Sequence, residues 1–376
     1  MSLTRHYSRV LRELDKPLLV ILLFLLGMGL VLAFAASPAV SSSADPFFYV
    51  RRQVMFMAAG LVILMVSAAF SLTGVRRMSG LALLGSLILL VLVLAVGQTI
   101  NGSTRWLHLP GFSLQPSEIF KPAFIVITAW LFTEEDRGAP APGRLLALFI
   151  YALAALLLTR QPDLGQTALI TLIFAAMLWI SGLSWRWTIG LGAGIAAGAA
   201  AAINLVPYIQ RRVAEFLAGG GGARNQTDIA LDAISQGGLW GVGPGEGRVK
   251  HVLPEAHNDY IFAVAGEEFG ALAMLLIIAL YALLFLRAWM LAMRLNDPFA
   301  RLATAGLALL FALQALVNIA VNLDLAPSTG MTLPFLSYGG SSMLALAFSA
   351  GLMLALTRHR PGAYQPRRQR LVSTPA

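Results

Sequence analysis

Glu255, His257 and Asp259 fall within five positions in the stretch LPEAHNDYIF, residues 253–262, directly ahead of a long apolar run. Ionisable groups are costly at membrane depth, so a cluster at the mouth of an apolar helix asks for a reason. At the start of that helix Asp259 would be stabilised by the unpaired N–H groups and the helix dipole. As a cap alone it would need no company. With Glu255 and His257 close by, a carboxylate at the lip of a cavity is placed to act as a general base, taking a proton from a hydroxyl as its oxygen attacks an activated carbon.

Other polar groups interrupt apolar segments. In SEIFK, Glu118 and Lys121 stand three apart and share one helix face. They read as an internal ion pair that pins two helices and as a charged wall of an outward-open cavity, two roles that are compatible. Gln314, Asn318 and Asn322 recur every four residues, a polar stripe that must face the bundle interior and suits helix–helix hydrogen bonding. Asp163 in RQPDLGQ reads as a helix cap. Glu267 and Glu268 form a second buried acidic pair in need of a basic partner. GVGPGEG, residues 241–247, is a weak phosphate-loop match: no strand precedes it in a βαβ unit, so a glycine-rich turn is the better reading. His251 and His257 lack metal-ligand spacing, so no metal site is expected from them.

These residues sit in a chain of 376 residues that is 58% hydrophobic and only 12% charged. A soluble chain would carry about 25% charged residues. Repeated continuous apolar runs predict an all-α polytopic membrane protein of about ten spans, a single domain over 1–376, and their continuity argues against a β-barrel. The expected spans are 17–36, 54–72, 79–97, 117–133, 144–159, 164–182, 187–206, 259–286, 299–321 and 338–357. The first is too long for the apolar core of a cleavable signal peptide. With both termini inside, 17 of the 27 basic residues but only 6 of the 18 acidic ones fall on the inner side, which predicts cytoplasmic termini and a basic cytoplasmic tail at 358–376. Arg51 and Arg52 fall on the outer side, against that bias. The net charge of +9 is therefore a topology signal, and no nucleic-acid partner is expected. The absence of cysteine excludes disulfides and thiol chemistry. Three outer segments exceed simple turns: INGSTRWLHLPGFSLQPSE, DLAPSTGMTLPFLSYGGSS, and a large extracytoplasmic loop at about 207–258 between spans seven and eight. The last contains a GGGG hinge at 219–222 and a short amphipathic helix starting at Thr227 or Asp228 and ending at Gly237. Gly190, Gly194 and Gly198 in span seven suggest close helix packing.

Five landmarks in order, NGSTRWLHL, QPSEIFK, QPDLGQT, LPEAHNDYIFAVAGEEFG and TLPFLSYGGSS, make the whole chain resemble the SEDS family of bacterial membrane proteins (shape, elongation, division and sporulation). LDAISQGGLWGVGPGEGRVKHVLPEAH resembles the division branch, FtsW, more than the elongation branch, RodA. The resemblance implies a peptidoglycan glycosyltransferase that polymerises lipid II at the outer face of the inner (cytoplasmic) membrane, at the division septum. It implies work with a class B penicillin-binding protein transpeptidase and other divisome proteins. The family's essential carboxylate falls on Asp259, within His257-Asn258-Asp259 where threonine is usual at the middle position. Its outer-loop Trp falls on Trp106, and its fourth-span pair on Glu118 and Lys121. Lipid II is α-linked and the polymer β-linked, so the transfer inverts configuration and needs one base. The departing pyrophosphate needs a cationic partner. Lys121, Arg105, Arg212 and Lys250 are candidates, as is a divalent cation, Mg2+ or Mn2+; no other cofactor is evident. A lipid II transporter using the buried charges, or a scaffold without catalysis, are the competing readings.

Overall fold

A computed structural model describes residues 10–40, 47–100, 103–109, 112–182 and 226–358, with scattered helical positions between 189 and 214. Helices α1 (Lys16–Val40), α2 (Phe48–Ala68) and α3 (Leu72–Val96) come first. Three short strands follow, β1 (Gln98–Ile100), β2 (Ser103–Leu109) and β3 (Phe112–Leu114), then α4 (Pro116–Asp136), α5 (Gly143–Arg160) and α6 (Leu164–Ile180). Past the undescribed stretch come α7 (Gln226–Gly237), a 3-10 turn (Val249–His251), α8 (Ile261–Arg294), α9 (Pro298–Asn322) and α10 (Gly340–Thr357). Seven of the helices, α1, α2, α3, α5, α8, α9 and α10, are long and apolar enough to cross a membrane, and α6 is a shorter apolar helix. The chain is thus a multi-pass membrane protein.

Nine of the ten expected spans correspond to helices, with shifted ends. α2 begins at Phe48, so Arg51 and Arg52 lie inside its first turns rather than ahead of it. Most of expected span seven, the GGGG hinge and Arg212 lie outside the described residues. Gly190, Gly194 and Gly198 are described, and a Cβ on any of them would meet nothing within 4 Å, so they make no close helix packing among the described residues.

The expectation of an all-α fold needs one correction. STRWLHL forms the central strand of a three-stranded antiparallel sheet, pairing Gln98 with Trp106 on one edge and His108 with Ser113 on the other. Asn101-Gly102 and Pro110-Gly111 separate the strands, the residue types that tight turns require. This sheet stiffens the segment that carries Arg105 and Trp106.

Helix starts follow the sequence. Ser71 caps α3 by accepting from Gly74 N at 3.0 Å, and Asp297 caps α9 by accepting from Ala300 N at 2.9 Å, with Pro298 in the first turn. α4, α9 and α10 occupy the centre: α4 is buried on all sides over most of Pro116–Ala129, and α10 along nearly its whole length. α10 packs along α2, α3 along α4, and α8 along α9. The segment between α9 and α10 folds back into the bundle, burying Met331, Leu333, Phe335 and Leu336. α1 accommodates it at Gly29, where a Cβ would sit 2.0 Å from the Phe335 carbonyl oxygen. Tyr281 on α8 donates to Pro334 O at 2.5 Å and holds the loop in place.

Candidate active site

A cleft of about 870 Å3 opens at the end of the bundle that carries the sheet. The first turns of α2, strand β2, the turn 253–260 and the returning loop before α10 supply its walls. Asp259, Glu255, His257, Arg105 and Trp106 all line it, so five of the residues singled out from sequence meet in one place. Asp259 is half-buried and stands two residues ahead of α8. The cap position itself is Tyr260, whose side chain makes no capping hydrogen bond. The cap position thus falls on Tyr260 and not on Asp259.

The backbone of the His257-Asn258-Asp259 turn is gripped residue by residue. The His257 carbonyl accepts from Tyr338 N at 2.9 Å, and the Asn258 carbonyl from Ser337 Oγ at 2.6 Å. The Asp259 carbonyl accepts from both Asn318 Nδ2 and Asn322 Nδ2, each at 2.9 Å. Asn322 Oδ1 accepts from Ala263 N at 3.0 Å and ties the first turn of α8 to the same point. Asn318 Nδ2 also donates to Met331 O at 2.7 Å, linking the turn to the returning loop. Asn318 and Asn322 of α9, together with Ser337 and Tyr338 of the returning loop, thus clamp three successive peptides and fix the backbone from which the Asp259 carboxylate projects.

Opposite it, Arg105 Nη2 donates to Pro162 O at 2.8 Å and Nη1 lies 3.7 Å from Asp163 Oδ1. Gly330, at φ 70°, lies between Arg105 and Asp259: a Cβ there would be 3.0 Å from Arg105 Nη1 and 3.8 Å from Asp259 Oδ2. Only glycine adopts that backbone cheaply and leaves the space open. Asp163 also caps α6 as its sequence position predicts, accepting from Gln166 N at 3.4 Å.

His257 packs between Tyr49 and Tyr338, with ring centroids 4.5 and 5.5 Å away. Burial lowers its pKa below the usual 6.5, against the pull of the nearby Glu255 carboxylate, so the ring is neutral at neutral pH. Burial raises the Tyr338 pKa, and Arg52 beside it opposes that shift. Arg52, Tyr49 and Tyr338 line the cleft and were not singled out from sequence. The signal for Arg52 was present: it broke the charge bias used to orient the chain.

Three predicted site residues are elsewhere. Glu118 and Lys121 are buried in α4, off the cleft wall. Lys121 Nζ donates to Glu118 Oε1 at 2.8 Å and Gln314 Oε1 at 2.9 Å, and Gln166 Nε2 donates to Glu118 Oε1 at 2.8 Å. The pair is an internal brace, not a cavity wall. It reaches the cleft through Gln314, which donates to Thr332 O at 3.0 Å. Lys250 is fully buried, with Nζ donating to Ala35 O at 2.8 Å and paired with Glu268. It is spent on holding its loop to α8, because a buried ammonium requires a carboxylate partner. Glu267 accepts from Val249 N and Lys250 N at 2.7 and 2.9 Å, so the second acidic pair anchors the same loop. GVGPGEG is a turn, as expected: Gly241 at φ 83° packs against the Glu268 carbonyl, beside the kink in α8 at Gly270.

Residues 16–361 match the family of cell-cycle proteins FtsW, RodA and SpoVE. Among curated relatives, a protein of Caulobacter vibrioides named "Probable peptidoglycan glycosyltransferase FtsW" is 42% identical, over 93% of this chain and 90% of that protein. One of the same name from Trichlorobacter lovleyi is 36% identical, over 92% of this chain and 94% of that protein. Among solved structures, a chain from work on "Structural coordination of polymerization and crosslinking by a peptidoglycan synthase complex" superposes with a TM-score of 0.77 at 28% identity, covering 92% of this chain and 97% of that one. The rod shape determining protein RodA of Thermus thermophilus superposes with a TM-score of 0.68 at 29% identity, covering 92% and 98%. With a family match across most of its length, close relatives and a shared fold, the chain belongs to the FtsW/RodA/SpoVE, or SEDS, family.

Proposed function

We propose that this chain is a peptidoglycan glycosyltransferase that polymerises lipid II for septal wall synthesis, with the sheet-bearing cleft as its active site. The names of its relatives support the reaction and the division role. The observation that carries the site is a carboxylate on a clamped backbone facing a guanidinium across Gly330 in one cleft. Asp259 takes the proton from the incoming 4-hydroxyl as its oxygen attacks the anomeric carbon and the bond to pyrophosphate breaks. A single displacement inverts configuration and requires no second carboxylate as nucleophile. Arg105 and Arg52 offset the charge developing on the pyrophosphate, and Trp106 offers a face to a sugar ring. The polyprenyl tail lies between helices in the bilayer.

In this reading the cleft faces outward from the cytoplasmic membrane and both termini are cytoplasmic. A class B penicillin-binding protein transpeptidase is the partner, together with other divisome proteins. No three His, Asp or Glu side chains converge among the described residues. A Mg2+ or Mn2+ ion would therefore be held largely by the substrate's phosphates, with Glu255 as a protein ligand and Asp259 kept as the base, as is common for Mg2+. The test is incubation of the purified chain and its transpeptidase partner with lipid II. The proposal expects glycan polymer whose linkages a β-specific muramidase cuts. Unreacted lipid II under conditions where the complex is intact would refute it.

A further inference from the structure

The opposite end of the bundle holds a second cavity of about 890 Å3, unrelated to the reaction proposed above. It opens where α1, α3 and α9 begin and α8 and α10 finish, the level at which membrane-crossing helices meet lipid headgroups. Its carboxylates are all engaged. Asp15 is gripped by Arg287 through Nε–Oδ1 at 3.0 Å and Nη2–Oδ2 at 2.5 Å, and Glu13 lies 3.4 Å from Arg358 Nε. Asp297 caps α9 and lies 3.5 Å from Arg137. Arg12, Lys16 and Arg294 also line the cavity, and among the described residues no ion pair neutralises them. Leu291, Leu295 and Leu356 give it an apolar side. Residues 1–9 and 359–376 contain arginines and no Asp or Glu.

Three uncompensated cations beside an apolar wall at headgroup level match a phosphate with hydrocarbon attached. We propose that this cavity binds an anionic phospholipid, its phosphate between Arg12, Lys16 and Arg294 and its acyl chains along the leucines. A basic pocket between membrane helices is the setting in which such headgroups are recognised.

The test titrates the full chain in neutral detergent with dioctanoyl phosphatidylglycerol, dioctanoyl phosphatidylcholine and glycerol 3-phosphate, reading occupancy by native mass spectrometry. The expected order is phosphatidylglycerol well ahead of the other two. Each lost cation should weaken phosphatidylglycerol binding about fivefold, and Arg12→Gln/Lys16→Gln/Arg294→Gln together about 100-fold. Lipid-free melting of the variant reports whether it folds. Should the triple variant fail to fold, Lys16→Gln and Arg294→Gln, both exposed positions, are read singly. Arg77→Gln/Arg301→Gln removes exposed cations at the same end but outside the cavity and should change binding little. An equal loss per charge in that control would mean general surface attraction and overturn the site. Glycerol 3-phosphate binding as tightly as the lipid would overturn the lipid assignment, and phosphatidylcholine binding as tightly would overturn the phosphate-reading role of the cations.

Discussion

Replacing Asn322 by alanine should damage stability and turnover together, and the size of both effects follows from its contacts. The side chain is fully buried. Its amide donates to Asp259 O and Asn318 O, each at 2.9 Å, and its oxygen accepts from Ala263 N at 3.0 Å. Asp259 O keeps a second donor in Asn318, so that loss is about 1 kcal/mol. The Ala263 N–H, at the start of α8, keeps Tyr260 O as a second acceptor at 3.0 Å, so that loss is also about 1 kcal/mol. The sum is about 2 kcal/mol of stability. The loosened turn also lets Asp259 drift, and a displacement on the order of 1 Å lowers turnover about 100-fold. Lipid II polymerisation by the folded variant should show kcat reduced by about that order with KM little changed, since the substrate-facing groups remain. Asn322→Asp keeps the oxygen that accepts from Ala263 N but sets a buried carboxylate against Asp259 O and Asn318 O, so it should lose at least as much stability as the alanine variant. A variant that loses the stability yet keeps wild-type kcat would refute the clamp as a positioning device.

Other consequences are as direct. Lys121→Met leaves Glu118 as a buried charge without its ammonium, so thermal unfolding should show a loss of about 3–5 kcal/mol. A neutral result would mean water reaches the pair. Gly330→Ala forces an L-residue to φ 70° and brings its Cβ 3.0 Å from Arg105 Nη1. It should cost about 1–2 kcal/mol and raise KM for lipid II by displacing the guanidinium, and an unchanged KM would remove Arg105 from substrate binding. His257 has a folded pKa below its ordinary 6.5, so the folded state binds fewer protons than the unfolded one. Its contribution is present above about pH 6.5 and is lost as pH falls toward the folded value. The melting temperature should drop on acidification below pH 6.5, and His257→Gln should flatten that slope. A slope unchanged in His257→Gln would assign it to other groups.

Much of the bundle was legible because apolar runs of about 20 residues have few alternatives to helices in a membrane. The ends were less so. The α2 start was read past Arg51 and Arg52, although charged side chains are tolerated in a helix whose first turns line a wet cleft. The hairpin was missed despite Asn101-Gly102, because strands of three and seven residues give too short an alternation to stand out between apolar spans. The α9 stripe could be seen, but not its target: Asn318 and Asn322 grip a carbonyl 59 and 63 residues away, a distance that no local pattern encodes. Lys250 was misread for the same reason. Its position near the motif suggested a substrate contact, while its carboxylate partner on α8 became visible only in three dimensions.

The central claim is that the carboxylate of Asp259, whose backbone is held by α9 and the returning loop, is the base. The most direct measurement compares wild type and Asp259→Asn for lipid II polymerisation, after matched checks of melting temperature and lipid II binding. The substitution keeps the clamped carbonyl and the side-chain shape and removes only the proton acceptor. The account predicts a variant that folds, binds lipid II and forms no polymer. Polymer at the wild-type rate from Asp259→Asn would contradict it and move the base elsewhere, with Glu255 the other carboxylate in the cleft.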